Sequence, residues 1–323
     1  MLNLQFKRLQ VFLKVIFFLS MNIIQNPGPV YSQLLIVTGA LLISLSPVFV
    51  VLSGVSATSS AFYRMALSLP ALFLLLFLTG GKLWLGMRQC GIALLAGIFY
   101  TLDLTCWHQS ILLIGPGLAT ILGNFQVFVL AAFSVFVLHT RVTLRLILAI
   151  PVSIIGLYLI CGVQWSAASD DFQLGVILAL TTAFWYGGYV LILRMLQTSF
   201  DLEGKIANLC MVSIFTTIIS GLVVIGSGDT FSVPGVDSWL YLAGYAVICQ
   251  VIAWLLISIG IAHTTPIKVG LILLLQPAGA FIWDIFIFRL PFTSVTLLGV
   301  VITLGAIYLG STSTSPGERS ETG

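Results

Sequence analysis

The fourth predicted segment begins Gly115-Pro-Gly-Leu-Ala-Thr-Ile-Leu-Gly-Asn-Phe-Gln126, and the chain later reads Thr265-Pro-Ile-Lys-Val-Gly-Leu-Ile-Leu-Leu-Leu-Gln276. Both stretches open an apolar run with a proline after a short polar break, and both reach a glutamine eleven residues on. The offset between them is 265 − 115 = 150 residues, and the same offset aligns Tyr158 with Tyr308. This register predicts that the chain contains two copies of one helical repeat.

The composition places the repeated unit in a membrane. Hydrophobic residues make up 59% of 323 positions, charged residues 7%, and the mean hydropathy is +1.15. Soluble domains carry about 25% charged residues, so a water-exposed globular fold is excluded. Unbroken apolar runs at 34–51 and 269–288 match the roughly 20 residues that an α-helix needs to cross a bilayer. We therefore predict an all-α polytopic membrane protein.

Glycine, proline and charged breaks divide the apolar runs into ten predicted transmembrane helices. The first five-helix repeat covers residues 33–163 and the second covers 174–311, with a ten-residue connection between them. Five spans per repeat is an odd number, so the second copy enters the membrane inverted. Inverted repeats around a central site are typical of secondary transporters. The ten predicted spans are 33–53, 57–78, 89–110, 116–138, 144–163, 174–196, 205–226, 238–261, 267–288 and 293–311.

Lysine and arginine predict the orientation, because these residues accumulate in cytoplasmic loops. With a cytoplasmic N-terminus, eleven of the thirteen lie inside and only Arg64 and Arg289 lie towards the outside. Both termini are therefore predicted to be cytoplasmic. Residues 1–32 are predicted to form an N-terminal extension, either an interfacial helix or a disordered segment. The tail at 312–323 is predicted to be disordered.

Two motifs resemble a known group. Ala61-Phe-Tyr-Arg64 in the second span and Leu275-Gln-Pro-Ala-Gly-Ala280 in the ninth resemble transporters of the drug/metabolite superfamily that are built from two EamA-type domains. The patch Asp103-Leu-Thr-Cys-Trp-His108-Gln-Ser-Ile111 is similar to a bacterial subgroup of exporters. The resemblance implies export of small metabolites, often amino acids or related compounds, across the inner (plasma) membrane.

The chain departs from the usual pattern of that group at positions that bear on mechanism. Gln276 stands where a glutamate is frequent, and Val127 stands where a proline is common. The usual Gly-Glu-Arg after the fourth and ninth spans is replaced by His139-Thr-Arg141 and by Phe288-Arg289-Leu290. These departures weaken the transfer of any mechanism based on those acidic residues.

Ionisable residues inside a membrane are costly and generally face the bundle interior or water. Arg64 and Asp103 each lie about seven residues below the outer end of their spans, at a shared depth of roughly 10 Å. The alternatives are a static structural ion pair, a gate or an anchor for a zwitterionic substrate, and placement facing the lipid. Asp103, His108 and Asp284 are the candidates for coupling or gating.

Polar and aromatic residues at helical spacing predict the substrate cavity, since aromatic walls with a few polar groups suit a small organic solute. The alternative for these residues is ordinary hydrogen bonding between helices. The predicted cavity residues are Arg64, Tyr100, Asp103, Trp107, Asn124, Trp185, Tyr186, Tyr189, Gln250, Trp254 and Gln276.

The function that these patterns favour is secondary transport by alternating access. A channel or facilitative uniporter is the first alternative, and an intramembrane enzyme the second. No metal or cofactor motif is present in the sequence, and no phosphate-binding glycine-rich loop followed by lysine supports ATP-driven transport. The expected partners are a small-molecule substrate, protons as candidate coupling ions, and the lipid bilayer, but not nucleic acid. The protein is expected to be a monomer or a homodimer.

Overall fold

The computed structural model describes residues 28–129, 132, 144–159, 169–197, 200–262, 264, 272–289 and 293–311. Every regular element within these ranges is helical. The predicted extension up to residue 27, the predicted tail, the Thr265-Pro266 motif and the distal end of the fourth span lie outside the described residues.

The helices of the first half are α1 (Pro29–Ile43), α2 (Ser46–Ser53), α3 (Ala57–Ala66), α4 (Ser68–Thr79), α5 (Met87–Ile114), α6 (Pro116–Gly123) and α7 (Leu144–Leu157). Those of the second half are α8 (Asp170–Gln197), α9 (Leu202–Ser227), α10 (Val236–Gly244), a π-helical turn (Tyr245–Ile252), α11 (Ala253–Ala262), α12 (Leu275–Phe286) and α13 (Ser294–Ser311).

Six helical runs within the described ranges are long and apolar enough to cross a membrane. They are Val30–Ser53, Ala57–Thr79, Met87–Ile114, Asp170–Gln197, Leu202–Ser227 and Val236–Ile261. Shorter apolar helices occupy Pro116–Val129, Ile147–Leu157 and Ser294–Ala306. The chain is therefore an all-helical, multi-pass membrane protein.

Local sequence signals set the helix ends. Ser56 and Asp201 cap α3 and α9, where their side chains accept hydrogen bonds from the backbone N–H groups three residues on. Gly80 and Gly228 end α4 and α9 in the left-handed conformation, with φ of 74° and 75°, which glycine adopts without steric cost. These residues mark where the helices begin and end.

Apolar side chains cover the outside of the bundle, as lipid contact requires. Phe77, Leu222 and Ile225 are exposed by 82%, 64% and 68%. Polar side chains lie inside instead: Thr101, Ser213 and many other serines and threonines are buried. Some buried hydroxyl groups bond the carbonyl one turn earlier, as Thr101 does with Gly97 at 2.8 Å. The bundle thus has an apolar outer surface, and its largely apolar core also contains many buried polar side chains.

The two halves pack through matched pairs of helices. The most extensive contact joins α5 to α8, and α1 packs against α11. Further pairs that join the halves are α9 with α3 and α4, α6 with α12, and α7 with α13. The α5–α8 interface is close because glycine lines it: a Cβ on Gly188 would lie 2.4 Å from the Phe99 ring. The centre of the bundle is therefore built by both halves together.

Candidate functional site

A cavity lies at the centre of the bundle, between α1, α3, α5, α6, α8, α11 and α12. It comprises about 490 Å³ of empty space, including the part open to the outside, and about 50 Å³ is accessible to the centres of water-sized spheres. Each water needs roughly 10–15 Å³ on that measure, so the cavity holds a few waters or one small solute. Its lining residues are Ile43, Arg64, Tyr100, Asp103, Leu104, Trp107, Thr120, Gly123, Asn124, Thr182, Tyr186, Trp254 and Gln276.

Eight of the eleven predicted cavity residues lie in this lining. Tyr100, Asp103 and Trp107 do so because spacings of three and four residues put them on one face of α5. Gln276 reaches the cavity from the start of α12, beside Pro277. The other predicted members of the lining are Arg64, Asn124, Tyr186 and Trp254. Whether any of them binds a substrate stays a proposal.

Arg64 enters the cavity from α3 and is 3% exposed. Its Nε donates to Gln250 Oε1 at 2.9 Å, and its Nη1 donates to the Tyr245 hydroxyl at 2.7 Å. The guanidinium also lies over the Tyr245 ring, 4.7 Å from the ring centroid, where the π-electrons attract a cation. Nη2 has no hydrogen-bond partner within the described residues. The guanidinium is thus held by two hydrogen bonds, and it also lies 5.6 Å from the centroid of the Tyr100 ring.

Asp103 lines the same cavity from α5 and is 5% exposed. Among the residues that the structure describes, no donor bonds its carboxylate. The ion pair with Arg64 that the shared depth suggested is not formed, because Arg64 bonds Gln250 and Tyr245 instead. Burying a charged group is costly unless it is paired. The cavity therefore contains a cation with free N–H groups and a carboxyl group that no described donor bonds.

Aromatic rings form one wall of the cavity. Tyr100 stacks on Tyr189, with ring centroids 4.0 Å apart and the planes within 4°. Trp254 meets Tyr100, Tyr186 and Tyr189 edge-on at centroid distances of 6.2, 6.4 and 5.5 Å. Edge-to-face and stacked pairs of this kind are favourable and rigid. The wall thus offers a preformed apolar surface beside the two charged groups.

Three predicted cavity residues are not part of the lining. Tyr189 is fully buried under Tyr100, and Trp185 packs edge-on against Phe99 at 5.5 Å. Gln250 is 1% exposed, and its Oε1 accepts hydrogen bonds from both Arg64 and Tyr100. Tyr189 and Gln250 thus contact lining residues from behind, whereas Trp185 packs against Phe99 and Phe184, which do not line the cavity.

The two other coupling candidates also lie outside the lining. His108 is fully buried, with Nδ1 3.2 Å from the Ala57 carbonyl oxygen and Nε2 2.8 Å from the Tyr245 hydroxyl. Asp284, on α12, accepts a hydrogen bond from the backbone N–H of Gly117 at the start of α6. Its second oxygen, Oδ1, is buried without a partner among the described residues. Asp284 thus joins the two halves of the chain.

Sequence reasoning missed Tyr245, which contacts both Arg64 and His108. It also missed Ile43, Leu104, Gly123 and Thr182, whose side chains carry no distinctive signal. No group of three or more histidine, cysteine, aspartate or glutamate residues in the described part of the chain could hold a metal ion. The chemistry available in the cavity is therefore ion pairing, hydrogen bonding and ring contact.

Fold and cavity together define a multi-pass helical membrane protein with a polar central site. The model of the EamA-like transporter family matches the chain twice, at residues 30–162 and 173–312. The chain therefore belongs to the EamA-like transporter family. It is accordingly a membrane transporter of the drug/metabolite superfamily, which the sequence motifs had indicated, and the members of this family are transporters rather than enzymes.

A solved crystal structure of another protein shares this fold. It superimposes with a TM-score of 0.64 at 14% sequence identity, and the match covers 88% of this chain and 98% of the other. Identity at that level supports the fold alone. No curated protein matches the chain.

Proposed function

We propose that the protein is a secondary transporter that exports small organic metabolites, amino-acid-like in charge, across the inner (plasma) membrane by alternating access. The observation that carries the substrate class is the pair of opposite charges, Arg64 and Asp103, that share one buried cavity without bonding each other. A zwitterion supplies both missing partners: its carboxylate meets the free guanidinium N–H groups, and its ammonium meets Asp103. Such charge-assisted hydrogen bonds are the strong ones.

The aromatic wall completes the proposed site. A solute held between the two charges places its side chain against Tyr100, Tyr186 and Trp254, which line the same cavity. Sites for small organic molecules are mostly apolar with a few placed polar groups. The small accessible volume favours an amino acid or a close relative over a bulky drug.

The proposed architecture is ten spans in two inverted five-helix repeats, with both termini cytoplasmic. Two matches of one family model in a single chain support the repeat. The helix pairs support it as well, because exchanging the halves converts the α5–α8 contact into the α11–α1 contact. Tyr100 and Gln250, which hydrogen-bond at 3.0 Å, are 150 residues apart, which is the repeat offset. Equivalent residues that touch lie near a pseudo-twofold axis, where inverted-repeat transporters bind substrate.

Alternating access requires contacts between the halves that open and close. The bond between Asp284 and the Gly117 N–H joins α12 to α6, the two helices that the repeat makes equivalent. Pro277 lies within the first turn of α12, where the helix begins after a break at Leu274. We propose Asp284 as a gating contact and Asp103 as the coupling candidate that faces the substrate.

The test is uptake into inside-out vesicles that contain the purified full-length protein. A panel of amino acids and amines is offered with and without an imposed pH gradient. We expect saturable accumulation of at least one zwitterion, and loss of that accumulation when the gradient is dissipated. Saturable equilibration of the solute that does not depend on the pH gradient would instead support the alternative of a facilitative uniporter. Flux that does not saturate would support a channel.

Two pairs of matched variants separate the site from general damage. Arg64→Gln is compared with Arg88→Gln, and Asp103→Asn with Asp237→Asn, because Arg88 and Asp237 are exposed. We expect both cavity variants to lose transport and both exposed variants to keep it. Full activity in both cavity variants would refute the site.

A further inference from the structure

Arg64 is held by two residues of one π-helical turn. Tyr245 opens the turn and Gln250 lies five positions later, and both bond the same guanidinium. In an α-helix of 3.6 residues per turn, side chains five positions apart diverge by about 140°. A π-helix instead bonds residue i to i+5, which brings such positions to the same side. The local change of helix pitch therefore lets both side chains reach Arg64.

His108 determines which hydrogen bond the Tyr245 hydroxyl donates and which it accepts. Nδ1 of His108 lies 3.2 Å from the Ala57 carbonyl oxygen, which can only accept, so Nδ1 carries the proton. Nε2 of a neutral imidazole then accepts, and the Tyr245 O–H donates to it across 2.8 Å. This leaves the oxygen of Tyr245 free to accept from Arg64 Nη1 at 2.7 Å. The chain of bonds has one consistent direction, from Arg64 through Tyr245 and His108 to Ala57.

This arrangement decides which donors of Arg64 remain for a ligand. A guanidinium has five N–H groups; one goes to Gln250 and one to Tyr245. The remaining three are both N–H groups of Nη2 and one of Nη1. A planar carboxylate can accept from two neighbouring N–H groups at once, which gives geometric selectivity as well as affinity. A guanidinium free to rotate would lose this selectivity.

We propose that Tyr245 and His108 are positioning residues: they fix the guanidinium of Arg64 from a π-helical turn so that the cavity selects solutes that bear a carboxylate. Neither residue lines the cavity, so both act through Arg64. The proposal rests on the proposed function, because the selected solute is taken to be the transported one.

The first test needs no substrate. The midpoint of thermal unfolding is measured for the purified full-length protein and for Arg64→Met, Tyr245→Phe and the double variant. Tyr245→Phe keeps the ring and removes only the hydroxyl. We expect it to lower Tm by a few degrees when Arg64 is present and to have little effect when Arg64 is methionine. Tyr241→Phe on the neighbouring helix α10 is the matched control. Additive effects of Arg64→Met and Tyr245→Phe would overturn the proposal.

The second test compares L-phenylalanine with phenethylamine, the same molecule without its carboxylate, in the vesicle assay. Loss of a bond that orients a charged donor weakens binding by roughly tenfold. We therefore expect Tyr245→Phe and His108→Phe to raise KM for L-phenylalanine about tenfold and to leave phenethylamine unchanged. Equal changes in KM for both compounds would show that Tyr245 is only a structural contact, and this would overturn the proposal. If the wild-type protein transports neither compound, the proposed function fails for them, while the unfolding cycle still decides whether Tyr245 acts through Arg64.

Discussion

Replacing Asp103 with asparagine should weaken transport and stabilise the protein at the same time. Asparagine has the same shape as aspartate, so the cavity keeps its form. In the described residues no donor bonds the carboxylate of Asp103, and therefore the change breaks no side-chain hydrogen bond within the protein. What it removes is a buried charge and the proposed partner of a substrate ammonium group.

The two effects have different sizes. A hydrogen bond to a charged group contributes about 1.5–3 kcal/mol, so losing the ammonium contact should raise KM for a zwitterion roughly 10- to 150-fold. Burial of a charge without a partner is unfavourable, and Arg64 offers no direct bond to offset it. We expect the free energy of unfolding to rise by about 1 kcal/mol, because the neutral amide is less costly to bury.

The assays are substrate uptake into vesicles and thermal unfolding of the purified protein without substrate. Asp237→Asn is the control, since this aspartate is exposed and its charge is already hydrated. It should change neither KM nor Tm. If Asp103→Asn lowered Tm and left KM unaltered, Asp103 would be a structural partner within the bundle, and the zwitterion site would be refuted.

Three further changes test the packing around the site. Gly188→Ala should cost about 1–3 kcal/mol of unfolding free energy from overpacking, whereas Gly91→Ala, with nothing within 4 Å of its Cβ position, should be neutral or stabilising in the thermal melt. Asp284→Ala removes the acceptor that joins α12 to α6, so we expect a lower Tm together with an altered maximal transport rate; an unchanged rate would exclude a gating role. Tyr63→Phe loses the hydroxyl bond to the loop at 228–235, which should speed protease cleavage of that loop, and equal cleavage rates would contradict the bond.

Much of the fold could be predicted because a membrane leaves few choices. An apolar run of about 20 residues must be helical in lipid, since no water satisfies its backbone. Glycine, proline and charged residues then mark the helix ends, as Gly80 and Gly228 do here. The predicted span at 57–78 corresponds to Ala57–Thr79 and the one at 205–226 to Leu202–Ser227. The ten-span count and the cytoplasmic termini are not fixed by these helices and remain part of the proposal.

The site was predictable where regular helical geometry applies and not elsewhere. Tyr100, Asp103 and Trp107 follow the 3.6-residue period, and all three line the cavity. Tyr245 and Gln250 are five residues apart, and the 3.6-residue period places residues at that spacing on different faces of an α-helix. No sequence pattern therefore predicted that both contact Arg64. A change of helix pitch alters which residues share a face, and neither hydropathy nor composition reports it.

The sequence also could not predict the hydrogen-bond partners of buried charged residues. These partners distinguish Asp103 from Asp284, two aspartates that look alike in the sequence. Asp284 accepts one hydrogen bond from the backbone of the opposite half through Oδ2, while its Oδ1 has no partner among the described residues. Asp103 lies at the cavity wall without a donor in the described part of the chain. Burying Asp103 without a donor costs stability. That cost is explained if a bound ligand supplies the missing hydrogen-bond donor. The same argument predicts that a bound zwitterion raises Tm more in the wild-type protein than in Asp103→Asn, and equal shifts in the two would contradict it.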